Sequence, residues 1–413
     1  MRPAPDPLAK GVMKVNFLLL SVAAFVGQVT MINPVSAQSW TPTTAPGENW
    51  AAIASSADGS KLIAVANNYP GVIYISTNSG AFWTNASASS EAWTGVASSA
   101  DGTKLVAVAN NFPGAICTST DSGVTWYNTN APSAEWSGVA SSADGTKLVA
   151  VANNYPAGPI YVSADSGATW QLTDAASSSW ASVAASADGT KWVAAGNNFP
   201  TGPVYVSTNS GVNWKPTTAP SEEWESVASS ADGRILAVVG NNAPTGPICV
   251  STNSGGTWPF TLATPDNYLA IASSADGTRL VAASQYTNGV SGAIYLSTNS
   301  GQSWQNMGAP QLAWSSLASS ADGRKLAAAV NGGGIYTWQA TPTPRLSIAT
   351  SDGAILISWA IPSLNFVLEQ NSNLTTTNWQ DVTNLTVLNL TNLQNQVVVP
   401  VTNRWQFYRL QSQ

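Results

Sequence analysis

The chain of 413 residues contains no histidine, only two cysteines, and just 9% charged side chains. Lack of histidine removes every mechanism that needs imidazole as base, proton shuttle or metal ligand. Two cysteines, Cys117 and Cys249, cannot supply a disulfide framework. The formal net charge of −6 argues against a nucleic-acid partner held through its phosphates. No cofactor and no metal are expected. What is plentiful is Trp, at 18, with 33 Gly and 24 Pro, a mixture suited to β-structure with many tight turns.

The N-terminus reads as a secretory signal peptide spanning residues 1–37. Lys10 and Lys14 precede an apolar run, Val15 to Val26, and Val35-Ser36-Ala37 forms a small-residue cleavage site. Met13-Lys14 is a more typical start than Met1. Loss of Arg2, Lys10, Lys14 and Asp6 takes the net charge from −6 to −8. The expectation is a secreted or extracytoplasmic protein with no membrane span in the mature chain, acting as a monomer.

A repeat dominates residues 38–340. Its copies begin at Trp50, Trp93, Trp136, Trp180, Trp224, Tyr268 and Trp314, spaced 43, 43, 44, 44, 44 and 46 residues apart. A period in the forties with four short strands per copy predicts a β-propeller blade. The first strand is rich in Ala, Ser and Val, and an Ala-Asp-Gly turn leads to a second of the Lys-Leu-Val-Ala-Val-Ala kind. A loop containing Asn-Asn-aromatic-Pro leads to a third, and a second hairpin to a fourth. Cys117 and Cys249 occupy a position held by Tyr74, Tyr161, Tyr205 and Tyr295 elsewhere, so they are expected to be buried and too far apart to pair.

The second hairpin recurs six times, at Ser76–Trp83, Ser119–Trp126, Ser163–Trp170, Ser207–Trp214, Ser251–Trp258 and Ser297–Trp304. It resembles the Asp-box, or BNR repeat, with pattern Ser-x-Asp-x-Gly-x-Thr-Trp. The variable acid falls at Asn78, Asp121, Asp165, Asn209, Asn253 and Asn299. Asn can cap a turn as Asp does, which favours a structural role over metal ligation. Seven first strands face six boxes because the last copy ends at Trp338. Ser39-Trp40-Thr-Pro-Thr-Thr-Ala-Pro46 resembles Asn213-Trp214-Lys-Pro-Thr-Thr-Ala-Pro220, so the N-terminal segment should supply the outer strand of the last blade. The fold class expected is therefore all-β: a seven-bladed propeller closed three-plus-one by its N-terminal strand, followed by a small antiparallel β-sandwich. Residues 341–344 read as a Pro-rich linker. Residues 345–413, with Trp359, Trp379 and Trp405 as core anchors, resemble fibronectin-III-like modules that follow secreted bacterial domains. Asn85, Asn373, Asn384 and Asn389 head glycosylation sequons, relevant only in a eukaryotic secretory pathway.

First strands should line the channel, where Glu225 is the single charge. The loops leading into the first strands and those between second and third strands share one face. The former bring Trp93, Trp136, Trp180 and Trp224, with acids just before them at Glu48, Glu91, Glu135, Glu222, Glu223 and Asp266. The latter bring Asn67-Asn68-Tyr69, Asn110-Asn111-Phe112, Asn153-Asn154-Tyr155, Asn197-Asn198-Phe199 and Asn241-Asn242, with the second amide and the ring of the first four taken as the candidate ligand contacts. Amides beside exposed rings suit a glycan or protein ligand, and no catalytic residue is expected there. The opposite face carries a broken basic ring, Lys61, Lys104, Lys147, Lys191, Arg234, Arg279 and Lys325, with Arg324 beside it, expected to be solvated charge.

Two further resemblances bear on function. Sialidases are propellers with Asp-boxes, and that likeness implies a glycoside hydrolase with a Tyr nucleophile and three arginines on the substrate carboxylate. Their Arg-Ile-Pro motif is absent, and the propeller's three arginines, Arg234, Arg279 and Arg324, sit at or beside one repeated turn. Likeness to seven-bladed assembly factors of the photosystem II stability-factor type implies an extracytoplasmic assembly role. A non-catalytic binding or scaffold protein is the reading preferred from the residues.

Overall fold

A computed structural model describes residues 13–15 and 39–412, apart from 87, 90, 112–113, 155–156, 199–201, 242–245, 262–265, 285–291, 341–345, 352–353, 361–365, 374–377, 384–385, 390–393 and 401–405. All regular structure among the described residues is β. The chain divides into two compact units, one comprising Ala37–Gln339 and the other Met1–Ser36 with Ala340–Gln413. The proposed linker and nearly all of the signal segment lie outside the described residues.

The first unit is a β-propeller. Blade 3 illustrates the plan: Trp136–Ser141, Leu148–Ala152, Ile160–Ser163 and Gln171–Leu172 pair antiparallel in chain order. The five-residue second strand is wholly buried in every blade that has one of that length, as befits a strand packed on both faces. The first strands follow one another round a closed circuit, with Trp314–Ser319 beside Glu48–Ser55. The N-terminal segment closes it as the sequence implied: Thr41 pairs with Thr337 and Pro42 with Tyr336 on the outer edge of the last blade. Trp40 is buried beneath that strand, its ring 6.0 Å from that of Trp314. Asn331 and Gly333 also pair with Asn49 and Glu48, stitching the last blade to the first at the loop end.

The Ala-Asp-Gly turns join all blades at the other end. Ala57 N–H donates to Ala100, Ala100 to Ala143, Ala143 to Ala187, Ala187 to Ala231, Ala231 to Ala275, Ala275 to Ala321, and Ala321 back to Ala57, each at 2.7–2.8 Å. Each turn is braced from within. In blade 2 the buried Ser99 hydroxyl donates to Asp101 Oδ1 at 2.6 Å and accepts from Lys104 N–H, while Asp101 also accepts from Thr103 N–H. Gly102 takes φ +67°, and a Cβ there would lie 2.7 Å from the Lys61 side chain of the preceding blade. Glycine thus serves both the turn and the stem packed on it.

That packing corrects the expectation for the basic ring. Lys61, Lys104, Lys147 and Lys325 reach the hydroxyls of Ser122, Ser166, Ser210 and Ser79 in the box of the next blade at 3.2–3.4 Å. Lys191 donates to the Asp232 carbonyl and Arg279 to the Gly323 carbonyl. These cations are struts between blades, with apolar stems lying on neighbouring turns. Arg234 is not a member of the ring. Ile235 holds that position and packs on Gly277, while Arg234 is exposed beside Asp232 of its own turn.

The second unit is a sandwich of two sheets. One holds Ser347–Ser351, Ala354–Ala360, Gln394–Pro400 and Val387–Asn389; the other Phe366–Asn371, Gln380–Asp381 and Gln406–Ser412, with Met13–Val15 on its edge. Leu346, Ile355, Ile357, Trp359, Leu368, Val397, Val399, Tyr408 and Leu410 form its core. Trp379 lies against the Arg409 guanidinium, 4.2 Å from its ring centre, and Arg409 pairs with Glu369 on the adjacent strand. Trp405 lies outside the described residues.

Two outcomes follow from this architecture. The turn aspartates are held below the usual carboxylate range, Asp101 at about 2 chiefly by the Ser99 hydroxyl and Asp58 at about 2 chiefly by Ser60 N–H, with Asp144 and Asp188 likewise at about 2. A depressed folded-state pKa stabilises above the unfolded value of about 4 and loses that contribution as pH falls through the folded one. The unfolding temperature should therefore be nearly flat from pH 7 to about 4.5 and fall steeply between about 4 and 2, as thermal melts across a buffer series would show. Trp40→Ala should cost about 3 kcal/mol in urea unfolding by emptying the seam under the closing strand, whereas a loss below roughly 1 kcal/mol would mean the closure contributes little.

Candidate functional site

The loop face is built from two sets of segments that the fold ties together. Each lead-in loop precedes a first strand, and each loop between second and third strands lies beside it in the same blade. The backbone of the first asparagine of each pair fixes this contact: Asn67 N–H donates to the Asn49 carbonyl, Asn110 to Ala92, Asn153 to Glu135, Asn197 to Ser179 and Asn241 to Glu223. A glycine just before the third strand allows the next blade's lead-in to approach. At Gly114 a Cβ would sit 2.0 Å from the carbonyl oxygen of Ala134 in the next lead-in, and at Gly158, which bridges Ser178 of the next lead-in, it would sit 1.9 Å from the Ala152 carbonyl oxygen of its own blade, so no larger residue fits at either.

The structure divides the residues singled out from the sequence. Trp93, Trp136, Trp180 and Trp224 are 0% exposed and do not present rings on this face. Their strands open with an irregularity: pairing jumps from Trp136 to Gly138, from Trp93 to Gly95, from Trp180 to Ser182 and from Trp224 to Ser226. Such a bulge re-aims the side chains around it. The indole turns into the blade interface, and the residue after it reaches the neighbouring first strand, as Thr94 Oγ1 does to the Trp136 carbonyl and Ser137 Oγ to that of Trp180. Edge-to-face contacts hold the rings: Trp136 on Tyr161 at 5.8 Å and Trp180 on Tyr205 at 5.5 Å. At the equivalent of those tyrosines, Cys117 and Cys249 are buried and unpaired. Burial pushes their thiols up to about 11 and about 12, which leaves them protonated and unreactive.

The second asparagines are half-buried and engaged in the fold. Asn68 donates to Glu48 and Asn111 to Glu91. Asn111, Asn154 and Asn198 accept from the backbone N–H of Ala92, Glu135 and Ser179 at 3.1–3.3 Å. These amides order the loops. Solvent instead meets the first of the pair in three blades, where Asn67, Asn110 and Asn153 are exposed, and Asn331 stands exposed at the same place in the last blade; Asn197 and Asn241 at this position are half-buried. Asn331 lacks the paired asparagine of the other blades, and only its constant offset, directly after the buried second-strand residues, marks it. Tyr69 is 81% exposed. Phe112, Tyr155 and Phe199 lie outside the described residues.

Glu225 follows the bulge of blade 5 and stands at the channel wall. Burial raises its pKa, the neighbouring Glu223 carboxylate adds to this, and a hydrogen bond with Asn241 opposes it. No group of three or more His, Cys, Asp or Glu among the described residues is placed to hold a metal ion. Elsewhere, a crevice of about 50 Å³ between the last and first blades, lined by Ser55, Leu62, Lys325 and Trp338, is of a size for water only.

The boxes are closed units of turn chemistry. Asp121 accepts from the Ser119 hydroxyl, from Thr125 N–H and from the Thr125 hydroxyl; Asp165 does the same with Ser163 and Thr169. Asn78, Asn209, Asn253 and Asn299 keep the backbone bond four residues on. Three of them turn their amide to donate instead: Asn209 to Asn213, Asn253 to Thr257 and Asn299 to Ser303. Ser122 of the box stands at φ +61°.

Because the inner tryptophans are core, Trp136→Ala should lower stability by about 4 kcal/mol in urea unfolding. Asn110→Ala, at an exposed side chain, should change it by less than about 0.5 kcal/mol. Equal losses for the two variants would remove the distinction between packing and presenting residues.

No family model matches the chain, and no curated protein does. Solved structures share its architecture at low identity. A hydrazine synthase of Kuenenia stuttgartiensis matches with a TM-score of 0.59 at 16% identity, over 73% of this chain and 98% of that one. A GH74 xyloglucanase from Xanthomonas campestris matches at 0.56 and 15% over 78% of this chain, which spans only 59% of the xyloglucanase. YCF48 bound to D1 peptide matches at 0.55 and 16%, over 75% and 98%. At such identities the likeness concerns the fold, and the fold of this chain is a β-propeller.

Proposed function

We propose that this chain is a non-catalytic binding protein, acting outside the cytoplasm, whose loop face holds an extended segment of a protein ligand. The observation that carries the reading is the arc of exposed carboxamides, Asn331, Asn67, Asn110 and Asn153, repeated at one position over four consecutive blades. A carboxamide both donates and accepts, as a peptide backbone does, and repetition lets several weak contacts act together. The tie of each neighbouring amide to its lead-in loop supports a preorganised surface. A relative in fold, YCF48, has been seen with a peptide bound, which is in keeping with a protein ligand and with an assembly role. A glycan is the second reading, favoured by the exposed ring of Tyr69 beside these amides. A sialidase-like clamp draws no support from the arginines, since Arg279 is spent on the Gly323 carbonyl at the opposite end.

A displayed peptide library and a glycan array, each probed with the native chain and with an Asn67→Ala/Asn110→Ala/Asn153→Ala variant, test this. Peptides should be enriched, and the variant should bind them at least tenfold more weakly. Glycan hits with a blank library would transfer the proposal to the second reading. Turnover of a fluorogenic sialoside would sink the non-catalytic reading itself.

A further inference from the structure

The propeller separates its charge by face. Of its nine Lys and Arg residues, Lys61, Lys104, Lys147, Lys191, Arg234, Arg279, Arg324 and Lys325 all belong to the Asp-Gly turn end, and Lys215 lies in an outer strand. At that end they stand among the seven turn aspartates and the two box aspartates, so charges of both signs nearly cancel. The loop face has seven carboxylates, Glu48, Glu91, Glu135, Glu222, Glu223, Glu225 and Asp266, and not one Lys or Arg in any segment that forms it. They are spread over blades 1, 2, 3, 5 and 6, so the field covers the face rather than one spot. The hydrogen bonds from Asn68 to Glu48 and from Asn111 to Glu91 orient carboxylates without neutralising them.

Two independent features of the same face ask for donors. Asn68 Oδ1 is buried without a hydrogen-bond partner, next to Tyr69, the most exposed aromatic among the described residues. Glu225 is a carboxylate held half out of water beside a like charge, an arrangement that an arriving cation relieves. An ammonium or guanidinium group beside Glu225 relieves that crowding of like charge, and the exposed face of Tyr69 adds attraction for a cation.

We infer that the segment held on the loop face is cationic, a Lys- or Arg-rich stretch of a protein partner, and that phosphate, sialic acid, uronic acid and other anionic ligands are repelled there. The inference deepens the proposed binding reading and rests on it. Complementary charge of this spread speeds association and makes affinity fall with salt.

The test measures binding of fluorescein-labelled nonalysine, with a Gly-Ser nonapeptide and nonaglutamate for comparison, by anisotropy at low and high salt. Nonalysine should bind at least tenfold tighter than the neutral peptide, and a tenfold rise in salt should weaken it markedly. Glu91→Gln/Glu135→Gln keeps a carbonyl acceptor for Asn111 and should weaken nonalysine at least fivefold. The matched control is Asp121→Asn/Asp165→Asn, which removes the same charge from two boxes where asparagine already stands in the other four; it should leave binding unchanged. Equal weakening by both variants would mean net charge alone is felt and would overturn the inference. So would nonalysine binding no tighter than the Gly-Ser peptide. In that case a neutral peptide whose binding is lost in the Asn67→Ala/Asn110→Ala/Asn153→Ala variant would keep the loop face as a binding surface without its preference for cations. Silence from every probe would overturn both.

Discussion

Seven backbone hydrogen bonds, running alanine to alanine round one end of the channel and returning to their origin, constrain everything else in the propeller. A donor in each blade must meet an acceptor in the next at 2.7–2.8 Å, so the blades share one tilt and one spacing. That demand explains the monotony of the Ser-Ala-Asp-Gly turn. The serine and aspartate hold its internal geometry, and glycine clears the path for the stem arriving from the blade before. Lys-to-box bridges then repeat the coupling farther from the axis. At the loop end the equivalent coupling is made by close backbone approach at glycines such as Gly158 and, between last and first blades, by the pairing of Asn331 and Gly333 with Asn49 and Glu48.

This division of labour bears on where function can reside. The turn end spends its charged and polar groups on holding blades together: its lysines bridge, its aspartates cap, and its boxes satisfy their own backbone. The loop end spends its second asparagines and indoles in the same way, yet leaves Asn67, Asn110, Asn153, Asn331, Tyr69 and Glu135 exposed. Binding chemistry accumulates where the fold has fewest internal demands on polar groups, which is the general reason loops on a rigid scaffold carry recognition.

Much of the fold was legible because a repeat states its own period, and because Trp40-Thr-Pro-Thr-Thr echoes Trp214-Lys-Pro-Thr-Thr closely enough to identify the missing outer strand. The site was less legible, for particular reasons. An aromatic at the start of a strand reads as loop-exposed only if the strand is regular; the bulge after Trp136 reverses that, and bulges leave little trace in a single sequence. Two adjacent asparagines look equivalent in sequence, but one follows the strand into solvent and the other folds back on its lead-in loop. Arg234 resembled a ring member because it is basic and near the turn, while the one-residue offset that gives Ile235 the packing position shows only against Gly277.

The last blade is assembled from both ends of the propeller, with Thr41–Pro42 laid against Ile335–Gln339. A ribosome therefore releases nearly the whole propeller before its ring can shut. Until residue 339 has emerged, the growing chain is an open arc with one unpaired rim at each end, each nearly identical in sequence to every other seam in the molecule. Arrival of the last blade's third strand, and not the folding of any single earlier blade, is the event that commits the chain to one closed circle.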